Sequence, residues 1–163
     1  MRVLARSESD TEALGARLAG TRPPRDELAV LFLEGELGAG KTTLARGLLR
    51  ALGVAGPVRS PTYTLVELYP LEGLTAVHAD LYRLRAPQQL EDLGLREWAG
   101  PNHLWLIEWP ERGTGHLPAP DLRVALTVRP GAHHIEVTPA SRRGAQWVGR
   151  LGGGGSPGAP GMP

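Results

Sequence analysis

The chain contains a single lysine, which lies inside a glycine-rich octapeptide that could hold phosphate groups. Residues 35–42 are Gly-Glu-Leu-Gly-Ala-Gly-Lys-Thr, and they fill every fixed position of the pattern G-x-x-x-x-G-K-[ST]. The other seventeen of the eighteen basic residues are arginine. A planar guanidinium is too large for the space between a curled backbone and the β- and γ-phosphates, whereas the compact ammonium of Lys41 fits. The pattern therefore predicts a nucleoside triphosphate site, with contacts from Gly38, Ala39, Gly40, Lys41, Thr42 and Thr43.

Phosphate chemistry at such a loop also needs a metal ion and an acid near it. Thr42 would offer its hydroxyl to Mg²⁺. Two acids are candidates because each ends an apolar stretch typical of a strand, Glu108 after residues 104–107 and Asp80 after residues 76–79. The carboxyl ends of parallel strands lie at the edge where a phosphate loop opens. We therefore predict Lys41, Asp80 and Glu108 as catalytic residues, while sequence position alone leaves open which acid contacts the metal.

Simpler interpretations exist for several of these side chains. Either acid could be a solvated strand end or a turn cap, and aspartate favours turns in any case. A single histidine such as His78, which alternates with Asp80, is more often a hydrogen-bonded structural residue than a proton carrier. Tryptophans usually pack in a core or at its edge. Trp109 is the exception to consider, because it directly follows the candidate metal acid Glu108.

The segments beside the glycine-rich loop predict the strand and helix that position it. Residues 28–33 form a continuous apolar run, which is typical of a strand buried on both faces of a parallel sheet. Residues 43–52 carry leucines four positions apart and are followed by Gly53, a common helix stop. In this setting successive loop N–H groups converge on phosphate, and the helix N-terminus adds partial positive charge. This order favours a phosphate site over a chance glycine turn.

The remaining elements predict one α/β domain with a mixed central sheet flanked by helices, similar in order to P-loop NTPases. The Ser-x-x-Glu spacing of Ser9 and Glu12 predicts a helix that begins after Ser9 and runs to about residue 19. A second helix is expected at 87–98, although Gly94 weakens that pattern. Strands are expected at 65–69, 74–80, 103–108, 121–129 and 133–138. The short spacing at Glu72-Gly73 favours an antiparallel hairpin between the first two of these strands.

The composition of the 163 residues predicts how the chain divides into a folded domain and a tail. We expect a folded domain at 1–150 and a disordered Gly- and Pro-rich tail at 151–163. The chain has no cysteine, which favours a reducing compartment. It lacks a signal-peptide pattern and any run of roughly 18 apolar residues, so we expect a cytoplasmic protein and not a membrane protein. With a net charge of +1 and dispersed basic residues, direct contact with tRNA or other nucleic acid is not indicated.

Four sequence blocks, taken together, resemble the bacterial TsaE family, formerly the YjeE family. They are residues 35–43, Ser-Pro-Thr-Tyr-Thr-Leu at 60–65, His-Ala-Asp-Leu-Tyr-Arg-Leu at 78–84 and Ile-Glu-Trp-Pro-Glu-Arg at 107–112. The glycine-rich loop is generic, whereas the other three blocks in this order and spacing are specific. The similarity extends from about residue 9 to residue 112, roughly two-thirds of the chain.

The resemblance implies a small P-loop protein of tRNA threonylcarbamoyladenosine (t6A) biosynthesis. Such a protein binds ATP and Mg²⁺ and hydrolyses ATP weakly by itself. It works with the TsaB–TsaD heterodimer, which attaches a threonylcarbamoyl group to the adenosine beside the tRNA anticodon.

The resemblance also implies roles for particular residues. Thr42 and Glu108 resemble the Mg²⁺ ligands, and Asp80 resembles a residue required for ATP hydrolysis. Thr11 resembles a nucleotide contact in the first helix, and Trp109 resembles a residue near the active site. Residues 60–64 resemble a switch-like loop over the phosphates.

One region departs from the family pattern, and two other functions stay open. Family members commonly carry an arginine where the last strand opens near the nucleotide, but this chain has His133 and His134 there, so the C-terminal contact with the nucleotide is left open.

One alternative function is a small-molecule or nucleoside kinase, although 163 residues leave little room for a lid and an acceptor pocket. Another is a non-catalytic ATP-binding module. A GTPase is disfavoured because the Asn-Lys-x-Asp pattern is absent.

Overall fold

The computed structural model describes residues 1–61 and 63–153, and within them one mixed sheet of seven strands forms the centre of the fold. The strands are β1 (Arg2–Ala5), β2 (Ala29–Gly35), β3 (Val66–Leu71), β4 (Leu74–Asp80), β5 (His103–Glu108), β6 (Leu122–Arg129) and β7 (Ala132–Pro139). The α-helices are α1 (Glu8–Gly20), α2 (Lys41–Ala51), α3 (Gln89–Asp92) and α4 (Arg142–Gly152). Two 3₁₀ helices lie at Leu95–Trp98 and Pro110–Gly113.

The sheet has the order β1-β7-β6-β2-β5-β4-β3. Its central strands β6, β2, β5 and β4 run parallel, and antiparallel partners flank them on both sides. The predicted mixed α/β sheet is therefore confirmed, as is the hairpin between β3 and β4. The apolar run that predicted β2 is buried from Ala29 to Leu33, because side chains pack on both faces of the strand.

Helices cover both faces of the sheet. On one face, leucines of α1 and α2 and Trp147 of α4 pack against the core that includes Leu31 and Leu104. On the other face, Phe32 and Trp105 pack with side chains from α3 and the first 3₁₀ helix. Residues on consecutive positions of β2 thus enter different cores, as the period of two along a strand requires.

Helix α1 begins earlier than the sequence pattern predicted. The side-chain oxygen of Ser7 accepts a hydrogen bond from the Asp10 N–H at 3.1 Å, and the Asp10 carboxylate accepts from the Ser7 N–H at 3.1 Å. The capping box is therefore formed by Ser7 and Asp10, and the prediction of Ser9 as N-cap is wrong. The reason is that the chain is still extended at Ser7, directly after β1, so the helix starts at Glu8.

Two other elements differ from expectation. The helix predicted at 87–98 is interrupted at Gly94, which has a φ of 66° and separates the short α3 from a 3₁₀ helix. Helix α4 was not predicted. It continues two residues past position 150, where the folded domain was expected to end, and Leu151 is buried. Residues 154–163 of the predicted tail lie outside the described residues.

Helices α1 and α2 approach each other unusually closely at two glycines. A Cβ atom added to Gly47 would lie 2.2 Å from the Glu12 carbonyl oxygen, and one added to Gly15 would lie 2.3 Å from the Leu44 carbonyl oxygen. Only glycine permits this backbone contact. The close packing places the start of α1 beside the glycine-rich loop that precedes α2.

Candidate nucleotide-binding site

The glycine-rich loop connects the end of β2 at Gly35 to the start of α2 at Lys41. Gly38 has a φ of 78° and Gly40 has a φ of 103°, values that residues with a side chain rarely adopt. These glycines curl the loop so that the N-terminus of α2 faces its opening. The strand, loop and helix that the sequence predicted are thus in place, and their arrangement suits an anion.

Lys41 is enclosed by the loop. Only 4% of the residue is exposed. Its ammonium donates to the carbonyl oxygens of Gly35 at 2.6 Å and Glu36 at 2.8 Å, and it lies 4.2 Å from the centre of the Trp109 ring. Burial lowers the pKa of the Lys41 ammonium below its ordinary value of 10.5, and nearby carboxylates, above all that of Glu108, oppose the shift. A phosphate oxygen would supply the charged partner that the backbone carbonyls do not.

Thr42 and Glu108 meet at the mouth of the loop. The Thr42 hydroxyl lies 2.9 Å from one oxygen of the Glu108 carboxylate and 3.1 Å from the other. Glu108 ends β5, which pairs with β2 in parallel register, and only 2% of the residue is exposed. A hydroxyl and a carboxylate are the hard oxygen ligands that Mg²⁺ prefers.

These two residues also fit the way Mg²⁺ binds beside nucleotides. Among the described residues, no group of three or more histidine, cysteine or acidic side chains is arranged to hold a metal. A cation here would depend on few protein oxygens together with phosphate oxygens, which is the usual coordination of Mg²⁺ at phosphoryl-transfer sites. The donor set at Thr42 and Glu108 therefore fits this ion.

Asp80 lies beside Glu108 on the neighbouring strand, because β4 and β5 pair Asp80 with Glu108. One oxygen of the Asp80 carboxylate accepts the Tyr82 N–H at 2.9 Å, and the other accepts the Ser60 hydroxyl. Asp80 therefore connects this edge of the sheet to the loop that the resemblance describes as switch-like. Thr62 of that loop lies outside the described residues. Since Glu108 and not Asp80 contacts Thr42, the geometry favours Glu108 as the metal ligand.

His78 is a functional candidate that the sequence interpretation underestimated. The side chain is fully buried, and its Nε2 atom lies 2.7 Å from the Glu108 carboxylate. The signal in the sequence was its alternation with Asp80, which puts both side chains on one face of β4. The contact between His78 and Glu108 depends on the register between β4 and β5, which could not be predicted from the sequence.

The predicted site residues line two adjacent cavities. The first, about 510 Å³, contains the three predicted catalytic residues and the loop opening. Its lining includes Gly38, Gly40, Lys41, Thr42, Thr43, Ser60, Asp80, Glu108 and Trp109. Ala39 is buried beneath the loop, and its N–H donates to the Glu36 carbonyl at 3.1 Å. The structure thus brings the predicted phosphate-binding and catalytic side chains together, while their roles stay predictions.

The second cavity, about 520 Å³, extends from the loop toward β7. Thr11 lines it, as do Thr43, Arg129 and His133. Thr11 is 2% exposed and lies at the end of α1 nearest the loop. The sequence left open whether His133 or His134 replaces the arginine that family members commonly carry near the nucleotide. The structure places His133 in this cavity beside Arg129, the last residue of β6, which the sequence interpretation did not single out.

Comparison with known proteins agrees with this arrangement. The model of the family described as "Threonylcarbamoyl adenosine biosynthesis protein TsaE" matches residues 5–135. The chain belongs to the TsaE family. This span includes every residue that lines the two cavities. The family resemblance inferred from the sequence blocks is confirmed.

Individual TsaE proteins show the same similarity. A TsaE protein of Haemophilus influenzae is 44% identical over 119 residues, which cover 73% of this chain and 75% of that protein. A second, from Bacillus subtilis, is 36% identical over 129 residues and 78% of its length. Both carry the name "tRNA threonylcarbamoyladenosine biosynthesis protein TsaE".

A solved structure has the same fold. The crystal structure of YdiB from Bacillus subtilis superposes with a TM-score of 0.76 at 27% identity, covering 93% of each chain. The single α/β domain with a P-loop-like arrangement is therefore shared with this TsaE structure. In the described part of the chain, no helix has the length and hydrophobicity that a membrane span requires.

Proposed function

We propose that this TsaE-family chain is a Mg²⁺-dependent ATPase that acts with the TsaB–TsaD pair in threonylcarbamoyladenosine modification of tRNA. The convergence of Lys41, Thr42, Asp80 and Glu108 on one cavity at the mouth of the phosphate loop carries the proposal. The names of the relatives supply the pathway. The ATPase domain, expected at residues 1–150, would extend to the end of α4 at Gly152, and the modification of tRNA would take place in the cytoplasm.

Binding of ATP would use the loop and both cavities. The N–H groups of the loop and of the first turn of α2 would hold the phosphates, and Lys41 would place its ammonium against the β- and γ-phosphate oxygens. The second cavity, next to Thr11 and His133, lies beside the loop and has the volume for a nucleoside. The Trp109 ring, 4.2 Å from the Lys41 ammonium, would help to hold that ammonium in place.

The acids would then divide the chemistry. Thr42 and Glu108 would hold Mg²⁺, which when bound supplies neutralisation of the phosphate charge. Asp80 would orient the attacking water and accept its proton, since its carboxylate lies on the same sheet edge as Glu108. Because Ser60 and the Tyr82 N–H already bind Asp80, its position depends on residues 60–64 and 81–82. Those segments are where a partner could influence turnover.

We expect slow turnover by the isolated chain, because two arginines near the site are stacked on aromatic rings. The Arg83 guanidinium stacks over Tyr63 at 5.0 Å, and that of Arg112 stacks over Tyr82 at 5.1 Å. Arg83 also lines the first cavity, so its guanidinium lies near the loop while it is stacked on Tyr63. An arginine supplied to the phosphates at the transition state is worth about 10³–10⁵ in rate. A partner that supplies or redirects such a group would therefore stimulate hydrolysis.

ATP turnover by the purified chain tests this proposal. We expect slow, Mg²⁺-dependent hydrolysis that Lys41→Ala removes and that the TsaB–TsaD pair accelerates. The same assay with the pair alone is the control for turnover by the partners. An absence of Mg²⁺-dependent ATP turnover in the complete mixture would overturn the proposal.

A further inference from the structure

His78 is a buried polar residue of β4 that lies between two apolar neighbours in the chain. It is 0% exposed, and its strand neighbours Val77 and Ala79 belong to the buried core. Its Nε2 atom lies 2.7 Å from an oxygen of Glu108, which is itself 2% exposed. Burial of two hydrogen-bonded polar groups side by side needs a reason beyond packing, since apolar side chains fill such positions at lower cost.

The hydrogen bond defines which nitrogen of His78 carries the proton. A carboxylate accepts and does not donate, so Nε2 must donate to Glu108. The other nitrogen, Nδ1, is buried without a hydrogen-bond partner among the described residues. A proton on Nδ1 would therefore be an unpaired buried donor, which is costly. The arrangement therefore makes the Nε2–H of His78 a hydrogen-bond donor to the Glu108 carboxylate.

The strand register explains how the two side chains meet. His78 pairs with Leu106, and Glu108 follows Leu106 by two positions, so the side chains of His78 and Glu108 lie on the same face of the sheet. His78 holds one carboxylate oxygen from β4, while the Thr42 hydroxyl contacts the carboxylate from α2. Glu108 is thus restrained from two elements at once.

We propose that His78 is a positioning residue that holds the Glu108 carboxylate in the orientation needed for Mg²⁺ binding. The inference rests on the proposed function, because it assigns Glu108 to the metal. Residues that orient a metal ligand in this way typically contribute about 10- to 100-fold to metal affinity or activity. His78 itself would contact neither the metal nor the nucleotide.

The test compares three variants by their need for Mg²⁺ in nucleotide binding. His78→Phe keeps a ring in the core but removes the donor. His78→Gln retains an amide N–H with a reach similar to that of Nε2, whereas the amide of His78→Asn is too short. Binding of a fluorescent ATP analogue is measured across a Mg²⁺ titration and again in excess EDTA, and far-UV circular dichroism reports whether each variant is folded.

We expect His78→Phe to raise the Mg²⁺ concentration at half-saturation about tenfold or more, while binding in EDTA changes less than about twofold. His78→Gln should lie close to the wild type and His78→Asn close to His78→Phe. The matched control is Val77→Ala, a buried change on the other face of β4, which should lower stability without changing the Mg²⁺ requirement. If the Phe variant does not fold, the difference between Gln and Asn decides the question.

Two negative results can be told apart. An unchanged Mg²⁺ requirement in folded His78→Phe, or equal requirements in the Gln and Asn variants, would contradict the positioning role alone. Nucleotide binding by the wild type that is independent of Mg²⁺ would contradict the proposed function and this inference together.

Discussion

The ammonium of Lys41 lies 4.2 Å from the centre of the Trp109 ring, although the two residues belong to different elements 68 positions apart. Trp109 follows β5 with a φ of 58°, which is rare for a bulky residue and turns the chain sharply after Glu108. The Trp109 N–H donates to the Leu33 carbonyl of β2 at 3.3 Å. The indole is therefore held against the Lys41 ammonium, which also contacts the loop carbonyls of Gly35 and Glu36.

This confinement predicts that arginine cannot replace Lys41. We expect both Lys41→Ala and Lys41→Arg to weaken ATP binding by about ten- to 150-fold, since a charge-assisted contact contributes about 1.5–3 kcal/mol. Equilibrium binding of a fluorescent ATP analogue measures the effect. The control is Arg96→Lys, which exchanges the same side chains at an exposed position. Binding by Lys41→Arg at the wild-type level would show that the enclosure does not select lysine.

The two acids should differ in the kind of defect that their amide variants cause. Because Glu108 contacts Thr42 at the loop, Glu108→Gln should weaken nucleotide binding mainly when Mg²⁺ is present. Asp80→Asn should keep the nucleotide bound and reduce turnover by about 10²-fold or more, as expected for loss of a general base. Binding titrations and single-turnover hydrolysis separate the two effects. Identical profiles for both variants would contradict this division of roles.

Burial of Lys41 predicts a pH-dependent stability difference in the nucleotide-free protein. The pKa of Lys41 is lowered on folding, so the folded state binds fewer protons than the unfolded chain between the lowered pKa and 10.5. Below that interval Lys41 is charged in the folded protein, and burial of the charge lowers the free energy of unfolding in full. Above pH 10.5 the amine is neutral in both states, and this destabilisation is absent.

The variant Lys41→Met, which is uncharged and similar in length, should therefore unfold at a higher temperature than the wild type at neutral pH. Because the wild type gains stability as pH rises through the lowered pKa, the difference between the two midpoints should narrow toward pH 10.5. Thermal unfolding of both proteins across this range is the measurement. A difference that is constant or widens with pH would contradict the buried-charge explanation.

The close contact between α1 and α2 predicts that Gly47 tolerates no side chain. A methyl group on Gly47 would lie 2.2 Å from the Glu12 backbone, so Gly47→Ala should destabilise the protein by about 1–3 kcal/mol. The matched control is Gly20→Ala in α1, where an added Cβ meets nothing within 4 Å and an effect of less than about 1 kcal/mol is expected. Urea unfolding compares them. Equal stability of the two variants would argue against the tight helix contact.

The parts of the site that the sequence predicted are those encoded by neighbouring residues. The loop at 35–42 and the strand-end acids Asp80 and Glu108 follow from local patterns of glycine, apolar residues and charge. The sheet edge then brings them together, because parallel strands end on the same side. The hairpin of β3 and β4 was predicted from the same kind of local pattern, the short spacing at Glu72-Gly73.

The parts that were missed depend on contacts distant in the chain. Residues 142–152 contain three glycines and few apolar residues, so they have a weak intrinsic tendency to form a helix. Helix α4 is stabilised by Trp147, whose Nε1–H donates to the Leu18 carbonyl at 3.0 Å. The His78–Glu108 hydrogen bond depends in the same way on strand register, and the cap at Ser7 depends on where β1 ends.

The most direct test of the account is multiple-turnover formation of threonylcarbamoyladenosine on tRNA in a reconstituted system with the TsaB–TsaD pair. We predict that product exceeds one modified tRNA per pair only when this chain is added with ATP and Mg²⁺. Lys41→Ala should reduce the product to the level seen without the chain, while Arg96→Lys should support full cycling. Equal cycling with and without the chain would contradict its assignment to this reaction.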